Sequence, residues 1–215
     1  MNTNLVLFLV LTLILVSYPE VSAQESPAWS IQTIDTRSSL YGGISITLDS
    51  NNNPHICYVA FTSFEPELGD PYMMYARWNG TAWNTQRVVS NGWGAALALD
   101  SDNNPHICYT YDDDLMYATW DGSDWNSQNL GPVEHNWYSL ALDSNNNPHI
   151  IYALENRLMY ASLFGSSWSI QTVDSSEDGF WHISLVLDNK DNPHIIYYDH
   201  TGQVGYGSGD TRYAS

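Results

Sequence analysis

Four histidines, His55, His106, His149 and His194, each follow a proline and open one apolar run, Pro-His-Ile-Cys-Tyr or Pro-His-Ile-Ile-Tyr. Imidazoles repeated around an axis have the makings of a metal ring, because neutral imidazole is a ready zinc ligand. Ahead of each stands an aspartate: Asp49, Asp100, Asp143 and Asp188. In Asp49-x-Asn51-x-Asn53 and Asp100-x-Asp102-x-Asn104, alternate oxygens have the spacing of a calcium loop. Turn chemistry accounts for both groups better. The fourth copy puts Lys190 at the middle ligand position, and Cys57 or Cys108 stands where a later oxygen ligand belongs. A turn aspartate accepts backbone N–H bonds two or three residues on, asparagine tolerates left-handed backbone, and proline starts a strand without needing a donor. The histidines begin a strand one removed from any axis, so each is expected to bond its adjacent turn. No metal and no other cofactor is expected.

A second group has the chemistry of ligand binding. Tyr41, Trp93, Trp137 and Trp181 each stand just before a repeat's first strand. Asp112, Asp114, Glu155 and Asp199 stand in the connections expected on the same face, with Glu65, Glu67, Asp70 and Asp113 beside them. Indole and phenol faces stack on the C–H faces of sugars while carboxylates bond hydroxyls. The competing reading is that the rings plug a channel between blades. His135, His182 and His200 lie on this face outside the repeat and could add a metal or acid–base site, though nothing in their spacing demands one.

The elements that must position these residues come from a repeat. LDSNNNPHICY at 48–58 returns at 99–109, 142–152 and 187–197, a step of 43 to 51 residues. That period selects a stacked array of one supersecondary unit. Strand A precedes the Asp, with a small residue four before it: Ser45, Ala96, Ser139 or Ser184. Strand B begins at Pro-His, and consecutive apolar residues such as Ile150-Ile151 require both of its faces to be covered. Strand C is Met73–Trp78, Leu115–Trp120, Leu158–Phe164 and Val204–Ser208, and strand D follows Trp83, Trp125 and Trp168. Asn79-Gly80 and Asp121-Gly122 predict type I′ hairpin turns between C and D. The fold is expected to be all-β, a β-propeller of four blades with four antiparallel strands each. Repeats centre on 43–89, 94–130, 137–173 and 182–215. Ala28–Asp35 matches the strand D sequence Ser167–Asp174 and is expected beside Val204–Gly207, closing the last blade. The alternative is part of a larger propeller.

Outside the repeats, Leu5–Val16 is apolar and Val21-Ser22-Ala23 is a small-residue cleavage pattern, so residues 1–23 are expected to be a signal peptide and 24–215 the propeller domain. The protein is then secreted or at the cell surface, with no membrane span after cleavage. A net charge of −18 repels phosphate backbones and makes nucleic acid a poor partner. Cys57 and Cys108 hold one position of two adjacent repeats, where the others have Ile151 and Ile196. They are expected to be free, buried thiols behaving as small hydrophobes. Asn79-Gly80-Thr81 is a glycosylation sequon.

The repeat pattern, with its later Leu-Met-Tyr-Ala and Gly-x-x-Trp segments, resembles tandem repeats of secreted bacterial and archaeal β-propeller proteins. It is distantly similar to sialidase-type Asp-box propellers and to tachylectin-type lectin propellers, although Ser-x-Asp-x-Gly-x-x-Trp does not occur intact. The resemblance and the aromatic–acidic face together imply a carbohydrate-binding, lectin-like module with glycans or cell-surface proteins as partners. A protein-interaction or structural surface module is the alternative. A sialidase-like glycoside hydrolase ranks third, because the five arginines share no loop register that would clamp a substrate carboxylate.

Overall fold

The computed structural model describes residues 29–36, 43–61, 69–200 and 209–215. The expected signal peptide, Tyr41, Glu65, Glu67 and Val204–Ser208 lie outside them. Met1–Gln32 and Thr33–Ser215 are separate compact units. No helix of the described residues is long and apolar enough to cross a membrane.

From Gly43 onward the described chain is built of antiparallel β-strands in four sheets. The first contains β1 (Ile44–Leu48), β2 (Pro54–Phe61), β3 (Pro71–Trp78) and β4 (Trp83–Ser90) in sequence order. The second contains β5 (Trp93–Leu99), β6 (Pro105–Tyr111), β7 (Asp114–Trp120) and β8 (Trp125–Pro132), again in order. The third contains β9 (Tyr138–Leu142), β10 (Pro148–Leu154), β11 (Arg157–Phe164) and β12 (Ser167–Ser175). The fourth has β13 (Phe180–Leu187), β14 (Pro193–Asp199) and β15 (Asp210–Ala214). Strand C of the last repeat is therefore β15, not Val204–Ser208. Tyr213 pairs with Ile196 as Tyr117 pairs with Cys108.

Each sheet is a blade with two apolar faces, as the unbroken buried run of β2 or β10 requires. The front of one blade packs on the back of the next. Cys57, Met73 and Tyr75 of the first meet Leu97, Ile107 and Tyr109 of the second. Cys108 and Tyr117 then meet Leu140, Ile150 and Tyr152, and Ile151 and Tyr160 meet Leu185, Ile195 and Tyr197. Both cysteines are free and fully buried, and burial pushes both thiols up. Small residues at the strand A position let neighbouring blades bond there: Leu97 N donates to Ser45 Oγ at 3.2 Å and Leu185 N to Ser139 Oγ at 3.1 Å.

The A–B turns behave as their sequence demands. Asp143 Oδ1 accepts from Asn145 N and Asn147 N at 2.9 and 2.7 Å, and Oδ2 accepts from Asn147 Nδ2 at 2.8 Å. Asp49, Asp100 and Asp188 repeat the arrangement. The fourth turn residue is left-handed in every copy: Asn52, Asn103, Asn146 and Asp191. Its side chain bonds the preceding blade, as Asn103 does in accepting from Ser50 N at 2.9 Å and Asp191 in accepting from Ser144 N at 2.9 Å.

Two expectations need correction. Asn79-Gly80 and Asp121-Gly122 do not make two-residue type I′ turns, because only Gly80 and Gly122 are left-handed. Asn79 Oδ1 instead accepts from Thr81 N and Ala82 N, closing a wider loop between Trp78 and its partner Trp83. The hairpins with two left-handed residues are Asp112-Asp113 and Glu155-Asn156, joining B to C in the second and third blades. In the second case, residues 29–36 form no strand, and Trp29 and Ile31 are almost fully exposed. The expected partner, Val204–Gly207, lies outside the described residues.

Each repeated histidine sits between its turn and strand C. His55 Nε2 faces Asp49 Oδ2 at 3.6 Å while Nδ1 takes the Tyr75 hydroxyl, and His106 and His149 do the same with Tyr117 and Tyr160. Nδ1 and the tyrosine hydroxyl share one hydrogen bond, whose donor is set by the imidazole tautomer, and Nε2 is left facing the carboxylate. Burial holds His55 and His106 below the ordinary value of 6.5 against the opposing pull of their aspartates. The Asn53 side-chain bond holds Asp49 below 3.8.

Asp143→Ala removes three bonds from one turn and is expected to cost about 1–2 kcal/mol, read as a lowered urea midpoint with unchanged slope. A histidine depressed on folding stabilises the protein while neutral. Its contribution is complete above 6.5 and lost as pH falls through the lower folded value; the depressed aspartates act in the same sense below 3.8. Melting temperature should thus fall from pH 7 to pH 5 and again below pH 4, and a scan showing maximal stability at pH 5 would contradict the assignment.

Candidate binding cleft

The connection from β4 into β5 is shaped by residues that tolerate unusual backbone. Asn91 is left-handed (φ 57°) and its N–H donates to Pro71 O at 2.7 Å. Trp93 then opens β5 opposite Thr110, and a bulge separates this pair from the regular ladder that resumes at Ala96. Gly94 lies in the bulge at φ 68°, and a Cβ there would strike the Tyr138 hydroxyl. That hydroxyl donates to Trp93 O at 2.9 Å. Phe61 meets the indole edge-on with centroids 5.6 Å apart. The ring is held from the first and third blades and stays half-buried.

Beside it runs a cleft of about 580 Å³, with Trp93, Tyr111, Asp112, Asp113, His135 and Asn136 in its wall and Asn91 at its edge. Asn91, Asp112, Asp113 and His135 all have φ between 50° and 65°. Left-handed backbone at non-glycine residues is costly and gathers where a side chain must be aimed. Val133 N donates to Asp113 O at 2.9 Å, tying the turn to the wall opposite. The cleft therefore offers two aromatic rings, Trp93 and Tyr111, with two exposed carboxylates, an imidazole and amides. That set stacks on an apolar ring face and bonds its polar edge.

Of the residues expected to share one face, the structure brings Trp93 and Asp112 together here. Asp114 stands at the start of β7, where Oδ2 accepts from Asn129 Nδ2 at 2.6 Å. Trp137 is half-buried against His182, centroids 4.5 Å apart. Trp181 is 41% exposed beside His200 at 5.1 Å. Glu155 is exposed and pairs with Arg157 at 2.8 Å. Asp199 departs from expectation: it is 1% exposed, pairs with Arg212 at 2.7 Å and accepts from Ser176 Oγ. Its carboxylate is a structural charge inside the blade, because Arg212 on β15 compensates its burial. Arg212 also reaches Asp174 at 3.1 Å. Tyr197 donates to that carboxylate at 2.8 Å, and its phenol is pushed up to about 12, chiefly by burial. Asn91, Tyr111 and Asn136 were not singled out by their sequence. The Asn91-Gly92 pair before Trp93 was the available signal of a bend.

Among the described residues no three His, Cys, Asp or Glu side chains gather into a cation site. The turn aspartates spend their oxygens on backbone and asparagine donors, and the repeated histidines are divided among separate blades.

No protein-family profile matches the sequence, and no curated protein matches it. Solved structures do resemble it in fold. A protein of unknown function from Dyadobacter fermentans DSM 18053 is 11% identical, with a TM-score of 0.57 over 78% of this chain and 50% of its own. A xylan beta-1,4-xylosidase from Bacillus halodurans C-125 is 10% identical, with a TM-score of 0.51 over 80% of this chain and 40% of its own. A fucose lectin from Kordia zhangzhouensis, in complex with methyl-fucoside, is 19% identical, with a TM-score of 0.44 over 62% of this chain and all of its own. This chain thus spans half the length or less of the first two. Its four antiparallel sheets, packed front to back, define a protein of the β-propeller type.

Gly94→Ala is expected to displace the Tyr138 hydroxyl, release Trp93 O and destabilise the protein by about 1–3 kcal/mol. Thermal melts check the stability, and a changed emission spectrum, relative to the same substitution in Trp93→Phe, checks the indole's displacement.

Proposed function

We propose that this protein is a secreted carbohydrate-binding module whose principal site is the Trp93 cleft, and that it takes neutral saccharides. The observation that carries the reading is the half-buried indole of Trp93, held by Phe61 and by the Tyr138 hydroxyl on its backbone, lining one open cleft with the exposed carboxylates of Asp112 and Asp113. A pyranose face stacks on the indole while its hydroxyls donate to the acids and bond Asn136 and His135. Neutral ligands are favoured because the two carboxylates repel an anionic sugar. The described arginines are placed elsewhere: Arg157 and Arg212 are paired with acids, Arg87 lies over the Tyr72 ring, and Arg77 lines a separate groove. This arrangement disfavours a sialidase-like clamp on a substrate carboxylate. Secretion rests on the N-terminal apolar leader and its cleavage pattern.

A glycan array on the mature protein, followed by calorimetric titration with the strongest neutral hit, tests the reading. Trp93→Ala should weaken binding by about ten-fold or more, and Asp112→Asn by a smaller factor, with melting curves showing that both variants remain folded. Equal binding by folded Trp93→Ala would remove the cleft from consideration, and preferential binding of sialylated glycans would reverse the charge argument.

A further inference from the structure

At the blade ends opposite the Trp93 cleft, a groove of about 270 Å³ opens between the first and second blades. Strand β6 runs from Pro105 in the groove to Tyr111 in the cleft over seven residues, or about 20 Å. The first-blade wall follows from strand alternation. Arg77 pairs with Asn84 and Tyr75 with Gln86 across β3 and β4, so all four side chains lie on the front of that blade. The second blade supplies Pro105, Trp120 and Gly122.

The same place between the second and third blades is closed by a clasp. There Gln128 Oε1 accepts from Trp168 Nε1 at 2.9 Å, with Thr119 in the position of Arg77 and Leu163 in that of Trp120. Between the first two blades the clasp is not made. Trp125 meets Tyr75 edge-on at 5.6 Å, as Trp168 meets Tyr117 at 5.3 Å, yet its buried Nε1 has no hydrogen-bond partner among the described residues. Gln86, the counterpart of Gln128, lines the groove instead. The amide that closes the later interface is left for a ligand at this one.

Arg77 is the second departure. Arg157 and Arg212 are paired with acids and Arg87 lies over the Tyr72 ring, whereas exposed Arg77 pairs with no acid of the described residues. Asp121, next to Gly122, is already occupied: it accepts from Ser123 N, Asp124 N and Asn126 Nδ2 at 2.9, 2.9 and 2.8 Å. The guanidinium is therefore available, and its planar fork of N–H donors matches a carboxylate.

We propose that this groove is a second saccharide site, selective for a sugar that carries a carboxylate, a uronic acid. Arg77 takes the carboxylate, the half-buried Trp120 indole lies against the pyranose ring, and the Asn84 and Gln86 amides bond its hydroxyls. A volume of about 270 Å³ lies just below the roughly 300–1,000 Å³ of sites for drug-sized ligands and suits one sugar residue. The two ends of the blades then prefer opposite charge: the acids beside Trp93 turn an anion away, and Arg77 draws one in. The inference stands without the Trp93 reading, since no residue lines both places.

Methyl glucuronide and methyl glucoside differ only by a carboxylate in place of a hydroxymethyl group, so titrating each by ligand-observed NMR isolates the charge. In Trp93→Ala, where the cleft is disabled, the glucuronide should bind about ten-fold more tightly than the glucoside. Adding Arg77→Thr, the residue the second blade has there, should remove that preference, whereas Arg77→Lys should keep part of it. Trp120→Leu, the residue of the third blade, should weaken the glucuronide as well, with melting curves showing that each variant is folded. A glucuronide that binds no better than the glucoside, or that binds folded Arg77→Thr undiminished, would overturn the proposal. Acetate binding as tightly as the glucuronide would overturn the sugar assignment in favour of a bare carboxylate such as a peptide terminus. Failure of the Trp93 reading shows differently, as neutral-sugar binding that Trp93→Ala does not change.

Discussion

A buried imidazole between two blades is the constraint on which the rest of this fold depends. The histidine enters an apolar interface with one ring nitrogen hydrogen-bonded and the other facing a carboxylate at 3.6 Å, a charge that offsets part of its desolvation. Aspartate from the A–B turn faces one and tyrosine from strand C supplies the other. The same aspartate spends its remaining capacity on the backbone of its own turn. One Asp–His–Tyr line therefore fixes the turn, the start of strand B and the register of strand C together. In the fourth blade the line is drawn with the same distances, 3.6 Å from His194 to Asp188 and 2.6 Å to Tyr213, although His194 and Tyr213 are open to solvent on that face. The geometry thus belongs to each blade and precedes the packing of blade on blade.

That local origin explains how much could be read in the sequence. Asp, Asn-Pro and His recur because the turn and the imidazole need them, and the small residue in strand A recurs because neighbouring blades bond there. Strand C of the last repeat was misplaced for a related reason. Tyr213-Ala214 repeats Tyr75-Ala76, Tyr117-Ala118 and Tyr160-Ala161, but the spacing from the histidine is 19 residues for Tyr213 and 11 for Tyr117 and Tyr160. A spacing rule follows the loop length, whereas the hydrogen bond follows the tyrosine. The turn error has a similar source: Asn79 and Asp121 use their side chains to close the loop, so left-handed backbone is required only at the following glycine.

The candidate site was less legible, because acidic residues in loops look alike until their partners are known. Asp112 and Asp199 have the same side chain and comparable places in the repeat. Asp199 is drawn inward by Arg212, a partner supplied by a strand whose position the sequence pattern did not give. Asp112 is turned outward by a hairpin whose two left-handed residues leave its side chain in solvent. With a net charge of −18 cations are scarce, and among these loop acids Arg212 is what makes Asp199 structural.

The same scarcity of repetition decides where a cleft can form at all. Trp93 and Trp181 stand seven residues before their turn aspartates and Asn136 holds that place in the third blade, so the aromatics do not form a regular ring. One position earlier, His135 and Phe180 are equivalent. Phe180 is 1% exposed and meets Tyr197 edge-on at 5.4 Å, filling the space between the third and fourth blades. His135 is exposed, and the corresponding space between the second and third blades stays open beside Trp93. Plug and platform thus differ in backbone as well as in side chain: Phe180 opens β13, whereas His135 sits in a turn at φ 61°. An apolar side chain held in the strand closes its gap by the free energy of its own burial, and a polar one turned outward leaves its gap open to a ligand.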